Sequence, residues 1–119
     1  MIKKMLIGAV ASVTMVACSS VSSTSDVDVK ADSVIIDVRT PAEFAEGHVE
    51  GAINLDLESG QFEAELPNLD PAQPYIVYCR SGRRSGVAVE IMKASGFTQI
   101  IDYQTLENAA NNTGLTIIE

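Results

Sequence analysis

Between positions 79 and 85 the chain reads Cys-Arg-Ser-Gly-Arg-Arg-Ser, which sets one thiol, three guanidinium groups and a glycine in a single short stretch. The thiolate is the nucleophilic form of cysteine, and nearby arginines or a helix N-terminus bring its pKa down from about 8.5. Gly82 permits a backbone turn that a β-branched residue resists. A loop curled round Cys79 through that glycine aims successive N–H groups inward as an anion nest, and a helix starting just after it adds partial positive charge. Arg80, Arg83 and Arg84 suit an oxyanion such as a sulfonate or sulfate-like group. Cys79 is therefore the candidate nucleophile, and Arg80, Ser81, Gly82, Arg83 and Arg84 form the candidate substrate cradle. An isolated cysteine after an apolar strand is more commonly a small buried hydrophobe. The arginine-rich setting argues for a working thiol here.

The cluster stands out against the rest of the composition. Sixteen Asp and Glu face eight Lys and Arg over 119 residues, for a net charge of −8. So acidic a chain is unsuited to non-specific nucleic-acid binding, which rests on basic contacts to phosphates. With 46% hydrophobic residues it is too apolar for a disordered chain. Two Cys and one His fall short of a zinc-finger or disulfide framework.

Residues 1–17 read as an address. Met1-Ile2-Lys3-Lys4 is a basic start, and Met5 to Ala17 is an uncharged apolar run too short to span a bilayer comfortably. Met15-Val16-Ala17-Cys18 resembles a bacterial lipobox, which implies that Cys18 is lipidated and becomes the mature N-terminus. Ser19 after it is similar to the residue of outer-membrane rather than inner-membrane lipoproteins. The expected location is thus the periplasm, on a lipid anchor; an ordinary signal cut nearby would leave a soluble periplasmic protein. Residues 18–32 comprise the lipidated terminus and a Ser-rich flexible tether, and 33–119 form one domain. Removing residues 1–17 takes away two lysines and no acids, leaving 6 basic against 16 acidic residues and a net charge of −10. In an exported protein a free thiol is a liability, and a lipidated Cys18 leaves Cys79 without an intramolecular partner.

The domain must position the loop, and its pattern says how. Val34 to Val38 is a β-branched run of the kind buried on both sheet faces. Thr40-Pro41 then reads as N-cap and first helical residue, with Glu43 at the capping-box position and Gly47 ending the helix. Gly51 to Leu55 predicts a second strand, Glu58 to Leu66 a helix, and Tyr75 to Tyr78 the clearest strand of the chain. A helix is predicted over 83–95, with Val87, Ala88, Ile91 and Met92 on its inner face and Gly96 as its C-cap. Thr98 to Tyr103 predicts a strand and Thr105 to Asn111 a helix. Leu115 to Ile118 is either an edge strand or a tail. Strands alternating with helices indicate an α/β fold, a single domain whose parallel sheet is flanked by helices on both faces. Cys79 then sits at the carboxyl end of a strand, where ligands bind in such sheets.

Three stretches in order, Ile36-Asp37-Val38-Arg39-Thr40-Pro41-Ala42-Glu43-Phe44, Gly47-His48-Val49-Glu50-Gly51-Ala52-Ile53-Asn54 and Val77-Tyr78-Cys79-Arg80-Ser81-Gly82-Arg83-Arg84-Ser85, resemble the single-domain rhodanese (thiosulfate sulfurtransferase) family. The resemblance implies a sulfurtransferase in which the Cys79 thiolate takes the outer sulfur of a thiosulfate-like donor, becomes a persulfide and passes that sulfur to cyanide or a thiol. It implies further that the amides from Arg80 to Arg84 cradle the sulfur, that Arg80 and Arg84 hold the anionic donor, that the partners are small molecules, and that no metal or organic cofactor takes part. Asp37, Arg39 and His48 belong to motifs expected to be architectural, and Glu43 and Glu46 to a solvated helix face.

Two other readings share these residues. One is a rhodanese-fold module that carries persulfide or binds a partner with little turnover. Phosphatases and arsenate reductases of the same fold use a longer Cys-x5-Arg loop round a tetrahedral anion, whereas here Arg84 follows at Cys-x4-Arg. Many relatives carry a Gly-Gly pair after the fourth strand and later a Trp. Gln104-Thr105 stand at that pair here, and Trp is absent.

Overall fold

The computed structural model describes residues 32–119; the segment 1–17, Cys18 and the tether as far as residue 31 lie outside the described residues. In chain order the elements are β1 (Val34–Asp37), α1 (Pro41–Glu46), β2 (His48–Val49), β3 (Ile53–Asn54), α2 (Gln61–Glu65) with a following 3-10 turn (Leu66–Asn68), β4 (Tyr75–Cys79), α3 (Arg83–Ala94), β5 (Ile100–Thr105), α4 (Leu106–Thr113) and β6 (Ile117–Ile118). Four strands form one parallel sheet in the order β3-β1-β4-β5.

β4 lies inside the sheet, and all five of its residues are buried. Because side chains alternate across a strand, Tyr75, Val77 and Cys79 face one core with Phe62, Ala88 and Met92 from α2 and α3. Ile76 and Tyr78 face the other with Val49 and Ala109, the latter from α4. Helices therefore cover both faces, as the β-branched runs require. Complete burial of a side chain such as Phe62 or Ile36 contributes roughly 1.5–3 kcal/mol.

The local signals act as physical chemistry dictates. Thr40 accepts the Glu43 N–H at 3.2 Å, and the Glu43 carboxylate accepts the Thr40 N–H at 3.1 Å, closing the capping box. Thr105 caps α4 in the same manner by accepting the Asn108 N–H at 3.0 Å. Several expected bounds move. The Gly51–Leu55 strand shrinks to Ile53–Asn54, and the helix expected from Glu58 starts only at Gln61. The last parallel strand begins at Ile100 rather than Thr98, because Thr98 and Gln99 belong to the approach from α3. Ser95 is the C-cap of α3, and Gly96 follows it at φ 94°. Val87 is half exposed, and Val89 takes the core position expected of it.

The C-terminal stretch is an edge strand. β6 pairs antiparallel with β2, placing His48 opposite Ile118 and Val49 opposite Ile117. Between β4 and β5 the register shifts: Val77 pairs with Asp102 but Tyr78 pairs with Gln104, so Tyr103 is the extra residue of a bulge. Gln104 has φ 72°, and among the described residues it is the non-glycine in the left-handed region.

Candidate active site

β4 ends at Cys79 and α3 starts at Arg83, so three residues make the turn between strand and helix. Gly82 makes it possible at φ 99°, a backbone that L side chains resist. That turn sends the Gly82 N–H to the Cys79 sulfur at 2.9 Å. Ser85, fully buried in the first turn of α3, lies on the same side. Its hydroxyl is 3.2 Å from the Gly82 carbonyl, with one proton to give to that oxygen or to the sulfur.

Burial by itself raises the Cys79 thiol. The Ser85 hydroxyl and the N–H groups of Ser85, Gly82 and Ser81 hydrogen-bond the sulfur and together carry it below its ordinary value. The balance favours the thiolate, and the N-terminal end of α3 adds to it. In the thiol form the sulfur donates to the Gln104 carbonyl at 3.3 Å. The sulfur is thus solvated by protein dipoles while Cys79 is 0% exposed.

The three arginines differ in their situations. Arg80 stands out with its side chain 78% exposed, 4.0 Å from Glu43, and Arg83 is also exposed. Arg84 is engaged: Glu43 accepts from its two terminal nitrogens at 2.8 and 3.1 Å, and Glu58 lies 3.6 Å away. Glu43 is therefore no solvated helix residue. The Arg84 pair holds its carboxyl down to about 2 against the opposing effect of burial, with Thr40 assisting. Thr40-x-x-Glu43 signals the cap, but nothing in the spacing signals a partner 41 residues away.

Asp37, Arg39 and His48 brace the site from behind. Arg39 donates to both Asp37 oxygens, with its closest approach at 2.6 Å, and to the Gly47 carbonyl at 2.6 Å. Its guanidinium also stands 5.6 Å from the centre of the Tyr78 ring. The Tyr78 hydroxyl accepts the Val49 N–H at 3.0 Å, and burial pushes its own ionisation up. His48 stacks on Phe44 at 3.7 Å, with Nδ1 2.8 Å from the Phe44 carbonyl, so the ring holds α1 against β2. A cavity of about 390 Å³ opens beside this frame between Arg39, Arg80, Leu106 and Ile117. Another of about 410 Å³, between Leu66, Pro71, Ile91 and Phe97, contains none of the loop residues. Among the described residues no three His, Cys, Asp or Glu side chains gather as metal ligands.

Residues 24–105 match the family model of the rhodanese-like domain. The chain is 36% identical over 75 residues to thiosulfate sulfurtransferase PspE of Escherichia coli K12, covering 63% of this chain and 72% of that one. It is 32% identical to thiosulfate:glutathione sulfurtransferase of Saccharomyces cerevisiae, covering 55% of each. For several other relatives the chain spans only 36–58% of their length. Among solved structures, a rhodanese with anions from E. coli superposes with a TM-score of 0.60 at 31% identity, covering 73% of this chain and 98% of that one. The rhodanese-like domain of Anabaena Alr3790 superposes at 0.63 with 21% identity, covering 73% and 99%, a likeness of fold.

Proposed function

The chain belongs to the rhodanese-like domain family, and on that premise we propose that it is a sulfurtransferase working through a persulfide on Cys79. The observation that carries this reading is the Cys79 sulfur at the end of β4, held 2.9 Å from the Gly82 N–H in a loop whose hydrogen bonds lower its pKa. Thiosulfate is the proposed donor. The thiolate attacks the outer sulfur, the bond to the sulfonate sulfur breaks, and sulfite leaves with the bonding pair. Charge then rests on the outer sulfur of the persulfide, where N–H groups and the α3 terminus stabilise it. Attack on that sulfur by cyanide or a thiolate returns Cys79 as thiolate and releases thiocyanate or a new persulfide.

The exposed Arg80 and Arg83 draw the dianionic donor to the mouth of an otherwise acidic protein. Arg84, paired with Glu43, serves first to tie α3 to α1. The short Cys-x4-Arg loop supports sulfur transfer over the phosphatase and arsenate-reductase chemistry of longer loops. The test is intact mass after incubation with thiosulfate. One added sulfur in the wild type, absent in Cys79→Ser, and thiocyanate formed with cyanide support the reading; no adduct rejects it. An adduct without turnover on cyanide or small thiols assigns the domain to sulfur carriage instead.

We further propose that the protein is exported and lipidated on Cys18, a reading supported by the Met15-Val16-Ala17-Cys18 pattern after a basic and apolar start. Labelled palmitate should be incorporated by the wild type and not by Cys18→Ser; labelling of neither rejects it.

A further inference from the structure

Gln104 stands where the chain has reason to keep a smaller residue. Its backbone is left-handed at φ 72°, a region that favours glycine and that other residues hold only at a cost. Two contacts lock it there. Its N–H donates to the Asp102 carboxylate at 2.9 Å, and the bulge at Tyr103 turns the strand so that its carbonyl meets the Cys79 sulfur at 3.3 Å. Its side chain then lies on the turn of the catalytic loop. A Cβ built on Gly82 would come 3.1 Å from the Gln104 Cβ and 3.5 Å from its Cγ. The reacting sulfur beneath is 0% exposed, while Gln104 is exposed.

We infer that Gln104 is a specificity-determining residue, a wall at the mouth of the loop that admits slim reagents to the Cys79 sulfur and holds back bulky ones. Backbone strain in a side chain of this size is retained where the side chain has a use. Here it lies against Gly82, whose N–H holds the sulfur of Cys79 at 2.9 Å. As a statement about substrates this rests on the sulfurtransferase reading, since it says which donors that chemistry accepts: thiosulfate readily, aryl thiosulfonates poorly.

The test separates access from transfer. Cys79 in the full chain, in Gln104→Gly and in Gln104→Asn is alkylated with iodoacetamide and with N-phenylmaleimide. Glycine relieves the backbone, and asparagine tolerates it with a shorter side chain, so both variants keep the fold. The maleimide-to-iodoacetamide rate ratio should rise about tenfold in Gln104→Gly and by a smaller factor in Gln104→Asn, the scale on which a site senses a methylene or two. Dividing one rate by the other cancels any change in thiol ionisation, which a merely structural role would alter. The ratio of kcat/KM for benzenethiosulfonate to that for thiosulfate should rise in parallel. An alkylation ratio that changes by less than about twofold in both variants overturns the inference. Should the wild type take no sulfur from thiosulfate while the alkylation ratio rises as stated, the transferase reading fails and the wall remains.

Discussion

Glu43 in α1 grips Arg84 in α3 with both carboxylate oxygens, at 2.8 and 3.1 Å, across 41 residues of sequence. The same carboxylate closes the cap of its own helix on Thr40. One side chain thus completes a helix start and ties it to the helix that begins beside the Cys79 sulfur.

This pairing predicts an acid-labile share of the stability. The Glu43 carboxyl is lowered from 4.5 to about 2 on folding, so its contribution is fully present above pH 4.5 and disappears as pH falls toward 2. Because the pair is partly solvent-screened, that contribution is about 1–2 kcal/mol. Glu43→Gln should be less stable than the wild type by this amount at pH 7, and the two should converge as pH falls to about 2. Urea denaturation across this range measures the difference.

Ser85 predicts the ionisation of Cys79. With the hydroxyl gone in Ser85→Ala, burial of Cys79 is opposed by one hydrogen bond fewer, and the thiol pKa should rise. Alkylation by iodoacetamide should then be several-fold slower below the midpoint and unchanged well above it. A pH–rate profile of the two proteins makes the comparison.

The Asp37–Arg39 pair predicts the largest loss. Asp37 is fully buried, and Arg39 is 6% exposed. Asp37→Asn keeps one acceptor oxygen but leaves the buried guanidinium without its compensating charge, which should cost about 3–5 kcal/mol. Removing both charges, in Asp37→Leu with Arg39→Met, should cost less than the single change, because no buried ion is left unmatched. Thermal melts of the two variants decide this.

Gly82 and Gln104 should be energetically coupled. Gly82→Ala forces a side chain into φ 99° and to within 3.1 Å of the Gln104 Cβ, at a cost of roughly 1–3 kcal/mol. Adding Gln104→Gly should recover the part owed to the contact and leave the part owed to the backbone. A double-mutant cycle on stability isolates the coupling.

Much of this protein is legible in its residues taken in order. The run from Val34 to Val38 and that from Tyr75 to Tyr78 announce buried parallel strands through β-branching alone, and Thr40-Pro41 with Glu43 announces a helix start through local hydrogen bonds. The loop from Cys79 to Ser85 is contiguous, so its chemistry is contiguous too. What depends on distant segments meeting is not written there. The approach of Glu43 to Arg84 requires α1 and α3 to meet, and the pairing of β6 with β2 is antiparallel, unlike the main sheet. The bulge at Tyr103 that lays Gln104 against Gly82 arises from the register between β4 and β5. Propensity and capping act over four or five residues and are visible in any window of the chain. Burial, ion pairing and strand register act between windows, so the thiol and the glycine turn beside it could be read from the letters, whereas the carboxylate that pairs with Arg84 and the residue laid against Gly82 were decided by packing.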